Sequence, residues 1–149
     1  MLSVLSPVPG TATGLAEVPD PVFAQGMVGP GTAIDPVREP QTAVAPVAGT
    51  IVKLHPHAFV IATQDGKGVL VHLGIDTVDL KGEGFETLAE EGAAVEAGTP
   101  LVRWNPAEVE KGGRSPAVPV VALDASAEAL SDVVSSGEVA SGAPLFGWR

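Results

Sequence analysis

The sequence predicts an all-β fold, an antiparallel β-sandwich or barrel-like domain with an internal duplication. Its apolar residues alternate or form short runs that end at Gly or Pro, which is typical of short strands. Gly (18) and Pro (14) supply 32 of the 149 residues without a Gly-X-Y period, which indicates many turns. A short segment near the C-terminus also repeats an earlier one. We therefore expect one domain over residues 1–149.

Six apolar runs predict strands, taken in chain order. Some of them, such as Val118–Leu123, are apolar throughout and suit a strand that is covered on both faces. The others end at turn residues, which limits each strand to a few residues. The predicted strands are Gly31–Ile34, Thr50–Leu54, Ala58–Thr63, Val69–Leu73, Leu101–Trp104 and Val118–Leu123.

Helical signal is weaker and is confined to two segments. Asn105 as N-cap and Pro106 at the first helical position predict one or two turns over Pro106–Lys111. Ser126 as N-cap, followed by apolar residues at helical spacing, predicts a second helix over Ser126–Val134 that stops at Gly137. Only short helical turns are therefore expected around the sheets.

The internal repeat links Val95–Trp104 with Val139–Trp148. The two segments lie 44 residues apart and share Val, Gly, Pro, Leu and Trp at five of ten positions. Two copies are too few for a solenoid, whereas a duplicated β unit that closes on itself leaves few exposed sheet edges. The alternative is chance recurrence of Gly-turn-strand patterns in a Gly-rich β protein.

Composition excludes several functions. Lys and Arg number 8 against 18 Asp and Glu, a formal charge of −10, which disfavours nucleic acid or an anionic membrane and suits a partner with a basic face. The absence of Cys excludes disulfides, thiolate chemistry and Cys-ligated metals. The segment Met1–Pro7 lacks the basic and apolar regions of a signal peptide, and no apolar run is long enough to insert in a membrane, so a cytoplasmic protein is expected.

All three histidines, His55, His57 and His72, lie within an 18-residue window. His57 opens one predicted strand and His72 closes the next. If these strands pair through the turn Gln64–Gly68, paired residue numbers sum to about 131 or 132, which places His57 opposite Gly74 and near His72.

Such a pair of imidazoles admits three interpretations. Each ring could be structural and bonded to a carbonyl group. The pair could bind zinc, completed by a carboxylate or His55. One ring could also be a nucleophile and the other its electrostatic partner, since an imidazole with a pKa of about 6.5 is a competent nucleophile near neutral pH. No serine-hydrolase elbow or Walker loop competes with them.

The string VHLGIDTVDLKGEGF, Val71–Phe85, resembles the IIA component of the glucose and N-acetylglucosamine branch of the bacterial phosphoenolpyruvate-dependent sugar phosphotransferase system. The resemblance extends over essentially the whole chain. It implies an antiparallel β-sandwich of the duplicated hybrid motif type. The further matching blocks are Val18–Phe23, Met27–Ile34, Val44–Ile51 and His57–Phe59.

The resemblance implies a phosphoryl relay with a covalent phosphohistidine, that is, a phosphotransferase component that requires no cofactor. His72 falls on the phosphoacceptor and His57 on its active-site companion. The donor would be phosphorylated HPr, and the acceptor a cysteine on the IIB domain of a sugar permease. Zinc at His57 and His72 stays a hypothesis beside this relay, and so does a regulatory role in binding other target proteins.

An apolar collar with acidic groups is expected around the pair, facing a partner such as HPr. One departure is that family members usually carry Thr two residues before the companion, where this chain has His55, expected to be an exposed loop residue. The sugar is not set by this chain, because specificity resides in the membrane partner. The predicted partner-binding residues are Asp20, Val22, Phe23, Met27, Val28, Leu70, Asp76 and Val78.

Two other classes fit the sequence less well. Ala45–Lys53 imitates a lipoyl or biotinyl carrier, but the modified lysine of those carriers lies in a Met-flanked hairpin that is missing here. His55-Pro-His57 imitates a zinc peptidase strand, but no histidine precedes it to complete that set.

Overall fold

The computed structural model describes residues 1–149 as three antiparallel sheets with only short helices. There are two α-helices, α1 (Pro21–Ala24) and α2 (Pro106–Lys111), and three separate 3-10 turns at 15–17, 77–80 and 127–129. No helix has both the length and the apolar character needed to span a membrane. The strands are β1 (Leu2–Leu5), β2 (Gly10–Ala12), β3 (Gly31–Pro36), β4 (Gln41–Val44), β5 (Gly49–His55), β6 (Ala58–Ala62), β7 (Gly68–His72), β8 (Glu86–Thr87), β9 (Ala94–Val95), β10 (Pro100–Trp104), β11 (Val118–Ala122), β12 (Leu130–Ser131), β13 (Glu138–Val139) and β14 (Pro144–Trp148).

One large sheet carries the centre of the molecule. Its eight strands run in the order β13-β2-β3-β11-β7-β6-β5-β9, and two three-stranded sheets, β1-β14-β12 and β4-β10-β8, accompany it. The strands pack around a core of 22 buried residues that includes both tryptophans. This confirms the predicted all-β class.

The hydrogen bonds of the two halves repeat with two fixed offsets, 39 residues for the donors and 44 for the acceptors, in agreement with the duplication that the sequence repeat predicted. Ser6 N donates to Ala143 O as Ala45 N donates to Thr99 O, and Ala12 N donates to Gly137 O as Ile51 N donates to Ala93 O. β14 lies between two strands of its sheet just as β10 does in the other. The sheet order also reads β13-β2-β3-β11 from one edge and β9-β5-β6-β7 from the other, so two copies of one unit meet between β11 and β7.

The predicted helix over Ser126–Val134 is wrong. Only Ala127–Ala129 form a 3-10 turn, and Leu130 and Ser131 then extend into β12, which pairs with β14. Asp132 has a φ of 52°, a left-handed conformation that interrupts a right-handed helix. Pairing with the edge of β14 gives the backbone groups of β12 hydrogen-bond partners. A helix of nine residues would have had to form all of its hydrogen bonds within itself, and helices this short are marginally stable.

The predicted β6–β7 pairing exists, but in a different register. Ala58 lies opposite His72 and Ala62 opposite Gly68, so paired numbers sum to 130 rather than 131 or 132. The turn is therefore tighter than expected: Thr63 N and Gly66 N donate to Lys67 O and Thr63 O. Leu73, not Gly74, is hydrogen-bonded to His57. The predicted helix Pro106–Lys111 and its cap are correct, since Asn105 Oδ1 accepts from Ala107 N.

Candidate functional site

His57 and His72 meet at one end of the large sheet. His57 lies in the turn that joins β5 to β6, and His72 is the last residue of β7, next to β6. Leu73 N donates to His57 O at 2.7 Å, which joins the backbones beside the two rings. The ring centroids are 5.2 Å apart and the planes lie at 67°, edge to face. The pair predicted from sequence spacing is therefore formed in the folded chain.

The backbone after β7 fixes the His72 ring. Nδ1 of His72 lies 2.5 Å from Gly74 O, a carbonyl oxygen that can only accept, so Nδ1 carries the proton in this contact. A neutral imidazole with its proton on Nδ1 leaves the Nε2 lone pair free. The structure therefore presents His72 with one nitrogen bonded to the protein and the other available for chemistry.

Phe23 forms one wall of the site. Its ring centroid lies 5.4 Å from that of His72 at 60°, and its side chain is only 8% exposed. It belongs to a small buried cluster with Val18, Ile75 and Val121. The sequence placed Phe23 among partner-binding residues, whereas the structure uses most of its surface to pack against His72 and this cluster.

The remaining predicted collar residues divide by exposure. Val22, Met27 and Val78 are 45%, 70% and 56% exposed, which is high for apolar side chains. Val28 and Leu70 are half-buried and pack against the Phe23 cluster. The collar thus has an exposed outer part and an inner part that supports Phe23.

Two acidic residues border the site. Asp20 is the N-cap of α1, and its Oδ1 accepts from Val22 N at 2.9 Å. Asp76 is exposed, with a φ of 60°, and its backbone oxygen accepts from Arg114 Nε at 3.2 Å. Both carboxylates act on the ring of His72 through their charge. They are the acidic groups that the sequence predicted near the pair.

Burial lowers the pKa of both histidines. For His72 it is the dominant effect, opposed by the Gly74 carbonyl and by the charges of Asp20 and Asp76. For His57 burial is again the largest cause, and the neighbouring His72 and His55 lower its pKa further. Both rings are therefore neutral at pH 7, which is the state in which an imidazole nitrogen can attack an electrophile.

His55 is exposed, as predicted, but it is the last residue of β5 and pairs with Ala58 rather than lying in a loop. It is not remote from the site. Its ring stacks on His57 with centroids 5.6 Å apart and planes at 21°. This parallel contact covers one face of the companion ring. The three imidazoles thus form a row that ends at Phe23 on one side and at solvent on the other.

Gly74 and Thr77 are site residues that sequence reasoning did not single out. Gly74 supplies the carbonyl to His72, and Thr77 is fully buried in the same loop. Two features of the sequence could have indicated them: a polar Thr inside the segment Val71–Phe85, and a Gly directly after an apolar strand. Neither signal specifies a hydrogen-bond partner, which only the folded loop provides.

The site offers two donors to a metal and no more. No group of three or more His, Cys, Asp or Glu side chains is placed to hold a metal ion. A tetrahedral zinc site takes four ligands, of which His57 and His72 would supply two. The expected completion by a carboxylate or by His55 is not formed within the chain.

Comparison with known proteins identifies the family of the chain. Residues 2–127 match the family model described as phosphoenolpyruvate-dependent sugar phosphotransferase system, EIIA 1. A Klebsiella pneumoniae PTS system N-acetylglucosamine-specific EIICBA component is 40% identical over 97% of this chain, which spans 22% of that relative's length. A Staphylococcus aureus PTS system glucose-specific EIIA component is 34% identical over 95% of this chain and 85% of its own length.

The fold has a counterpart among solved structures. The glucose permease IIA from Mycoplasma capricolum superposes with a TM-score of 0.89 at 38% identity, covering 97% of this chain and 94% of that one. The chain therefore belongs to the EIIA 1 family of the phosphoenolpyruvate-dependent sugar phosphotransferase system, and it is a phosphotransferase component of that kind.

Proposed function

We propose that this chain carries a phosphoryl group on Nε2 of His72, taken from phosphorylated HPr and passed to a IIB domain. The observation that supports this most directly is the bond between His72 Nδ1 and Gly74 O. It leaves Nε2 as the free nucleophile. The ring of His72 lies beside a second neutral imidazole, that of His57, with 5.2 Å between the ring centroids. A structural histidine needs no such free nitrogen beside another one.

The two half-reactions are displacements at phosphorus. In the first, the Nε2 lone pair of His72 forms an N–P bond while the N–P bond to the donor histidine breaks, and that electron pair returns to the donor nitrogen. In the second, a IIB cysteine thiolate forms an S–P bond and the electron pair returns to Nε2 of His72. Such transfers depend mainly on positioning and on stabilisation of charge.

His57 is suited to stabilise the phosphoryl oxygens. Its ring lies edge to face with His72, and no intramolecular hydrogen bond occupies its nitrogens. A nitrogen–hydrogen group that points at the transferring group can donate as negative charge redistributes. The buried ring of Phe23 against His72 limits access of water to the acceptor, which a relay needs to avoid hydrolysis.

The acidic surface agrees with these partners. A net charge of −10, with Asp20 and Asp76 beside the pair, attracts a donor or acceptor with a basic edge. A relative named as an EIICBA component, with components C, B and A in one chain, supports a IIB domain as the acceptor. Relatives named for N-acetylglucosamine and for glucose support a sugar of that class.

Two further expectations accompany the relay. A chain charged from phosphoenolpyruvate, a cytoplasmic metabolite, would work in the cytoplasm. The same exposed collar could also bind regulatory target proteins when His72 is unphosphorylated, which is the second candidate function. Zinc would need donors from a partner, since the chain supplies two imidazoles, and we assign no step of the transfer to it.

The test separates the two histidines by half-reaction. The chain is incubated with phosphoenolpyruvate, enzyme I and HPr, and one acid-labile phosphoryl adduct on His72 is expected by mass spectrometry. His72→Gln should abolish acceptance, whereas His57→Gln should still accept and should slow transfer to IIB by about 100- to 1000-fold, as for the loss of one oxyanion donor.

His55→Gln is the matched control, because it removes the third imidazole of the same row. It should accept and transfer at rates close to those of the wild type. Normal labelling of His72→Gln, or an acid-stable adduct on Ser or Thr, would refute the relay. Equal loss of acceptance in both Gln variants of the pair would refute the division of roles.

A further inference from the structure

The loop that follows β7 holds one glycine by both of its peptide groups. The Leu73–Gly74 peptide donates from Gly74 N to Ala117 O at 3.0 Å, and its oxygen, Leu73 O, accepts from the hydroxyl of Thr77 at 2.8 Å. The Gly74–Ile75 peptide donates from Ile75 N to Ser115 O at 2.8 Å, and its oxygen bonds to His72 Nδ1. Four bonds therefore set the direction of the carbonyl that His72 uses.

Glycine makes these bonds necessary. Gly74 has a φ of 83°, where the absence of a Cβ leaves several backbone conformations open to it. Local sterics alone do not hold the Gly74 carbonyl in place, so its direction depends on the surrounding partners. Two of the four bonds join backbone groups, and a third is the bond to the His72 ring itself. The fourth comes from the Thr77 hydroxyl, which is the only side chain besides His72 that bonds to these two peptides.

We propose that Thr77 is a positioning residue for phosphoryl transfer, which selects the reactive tautomer of His72 by holding the Gly74 peptide in place. The side chain is fully buried, so no water replaces its hydroxyl. The hydroxyl also lies 3.5 Å from Gly74 O, beside the atom that His72 contacts. Its methyl group contacts the glycine as well, since a Cβ added at Gly74 would lie 2.6 Å from Thr77 Cγ2. Thr77 thus fits around Gly74 with both branches of its side chain.

This inference rests on the proposed relay only for its consequence, because the tautomer of His72 can be measured without any partner. Nitrogen NMR of the free chain reports which ring nitrogen carries the proton and where the ring titrates. If the relay were wrong, the chain would fail to accept a phosphoryl group while the tautomer still responded to Thr77. If Thr77 had no role, the tautomer would be unchanged while the relay still worked.

Thr77→Val removes the hydroxyl and keeps the shape of the side chain. We expect a larger fraction of the tautomer protonated on Nε2, and a pKa of His72 lower than in the wild type, because the Gly74 carbonyl raises that pKa. Phosphoryl acceptance should fall by about fivefold to tenfold, the factor that the net strength of one hydrogen bond gives. Thr77→Ser, which keeps the hydroxyl, should restore both the tautomer and the rate.

Thr32→Val is the matched control for the loss of a buried hydroxyl. Thr32 is also fully buried, and its hydroxyl donates to Val134 O at 2.6 Å, away from the pair. It should lower stability while leaving the His72 tautomer and acceptance rate as in the wild type. A Thr77→Val protein with wild-type tautomer and titration would overturn the proposal. A wild-type chain in which the Nε2-protonated tautomer dominates would overturn it even if Thr77→Val did not fold.

Discussion

Replacing Gly74 by alanine perturbs the site both through the backbone conformation and through contacts of the added Cβ. The residue has a φ of 83°, where a side chain costs about 1–2 kcal/mol. The new Cβ would lie 2.6 Å from Thr77 Cγ2, 3.2 Å from Ser115 O and 3.4 Å from Val109 Cγ1. Overpacking of this kind adds about 1–3 kcal/mol. The expected loss in the free energy of unfolding is therefore about 2–5 kcal/mol.

Gly66→Ala provides the matched comparison. Gly66 has a φ of 88°, almost the same, but an added Cβ would meet nothing within 4 Å. It should cost only the conformational part, about 1–2 kcal/mol. For a chain of this size each kcal/mol lowers the melting temperature by about 2–4 °C, so the two variants should differ measurably.

Urea unfolding followed by the fluorescence of the two buried tryptophans measures both losses. Phosphorylation by HPr, measured on the folded variants, should be normal for Gly66→Ala and strongly reduced for Gly74→Ala, because the clash displaces the carbonyl that fixes His72. Equal destabilisation of both variants would show that the loop yields freely at Gly74. A destabilised Gly74→Ala protein with a normal transfer rate would refute the link between this carbonyl and the reactive nitrogen.

Two other results are expected. Burial lowers the pKa of His57 and His72, so the unfolded chain binds more protons than the folded chain between the lowered pKa and the ordinary value of 6.5. The free energy of unfolding measured by urea titration should therefore fall as the pH drops through this window. A double His→Gln variant that kept the same dependence on pH would contradict this. Met27→Glu, at an apolar residue that is 70% exposed, should leave the fold intact and slow transfer from HPr and to IIB. Val37→Glu, at a residue that is 42% exposed and outside the predicted collar, should leave both transfer rates unchanged. A normal rate for Met27→Glu would place the docking surface elsewhere.

The sequence predicted those parts of the fold that depend on local pattern. Five of the six predicted strands, Val118–Leu123 among them, formed within one residue of their predicted ends, whereas β3 continues two residues beyond its predicted end at Ile34. Asn105 capped α2 as expected. The two-residue strands β8, β9, β12 and β13 were missed because elements this short have no periodicity to detect, and the four-residue edge strands β1 and β4 were missed as well. They exist through pairing with a distant strand, which a local pattern does not contain.

The site shows the same division. His57 and His72 were brought together by strand pairing that turn length made predictable, and only the register differed. The burial of Phe23 against His72 required α1 to lie next to the end of β7, which joins segments almost fifty residues apart in sequence. The role of Gly74 depended on a carbonyl direction, and no residue type encodes that by itself.

The duplication explains where chemistry became available in this fold. In the sheet order, β2 and β3 of one copy correspond to β5 and β6 of the other. The connection between β5 and β6 is a two-residue turn that carries His57, whereas the connection between β2 and β3 spans residues 13–30 and includes α1. This long connection brings Asp20 and Phe23 to the ring of His72. The paired strands thus provide a nearly symmetric frame, and the reactive pair lies where the two copies differ: a tight turn supplies the companion, and a long connection covers the acceptor.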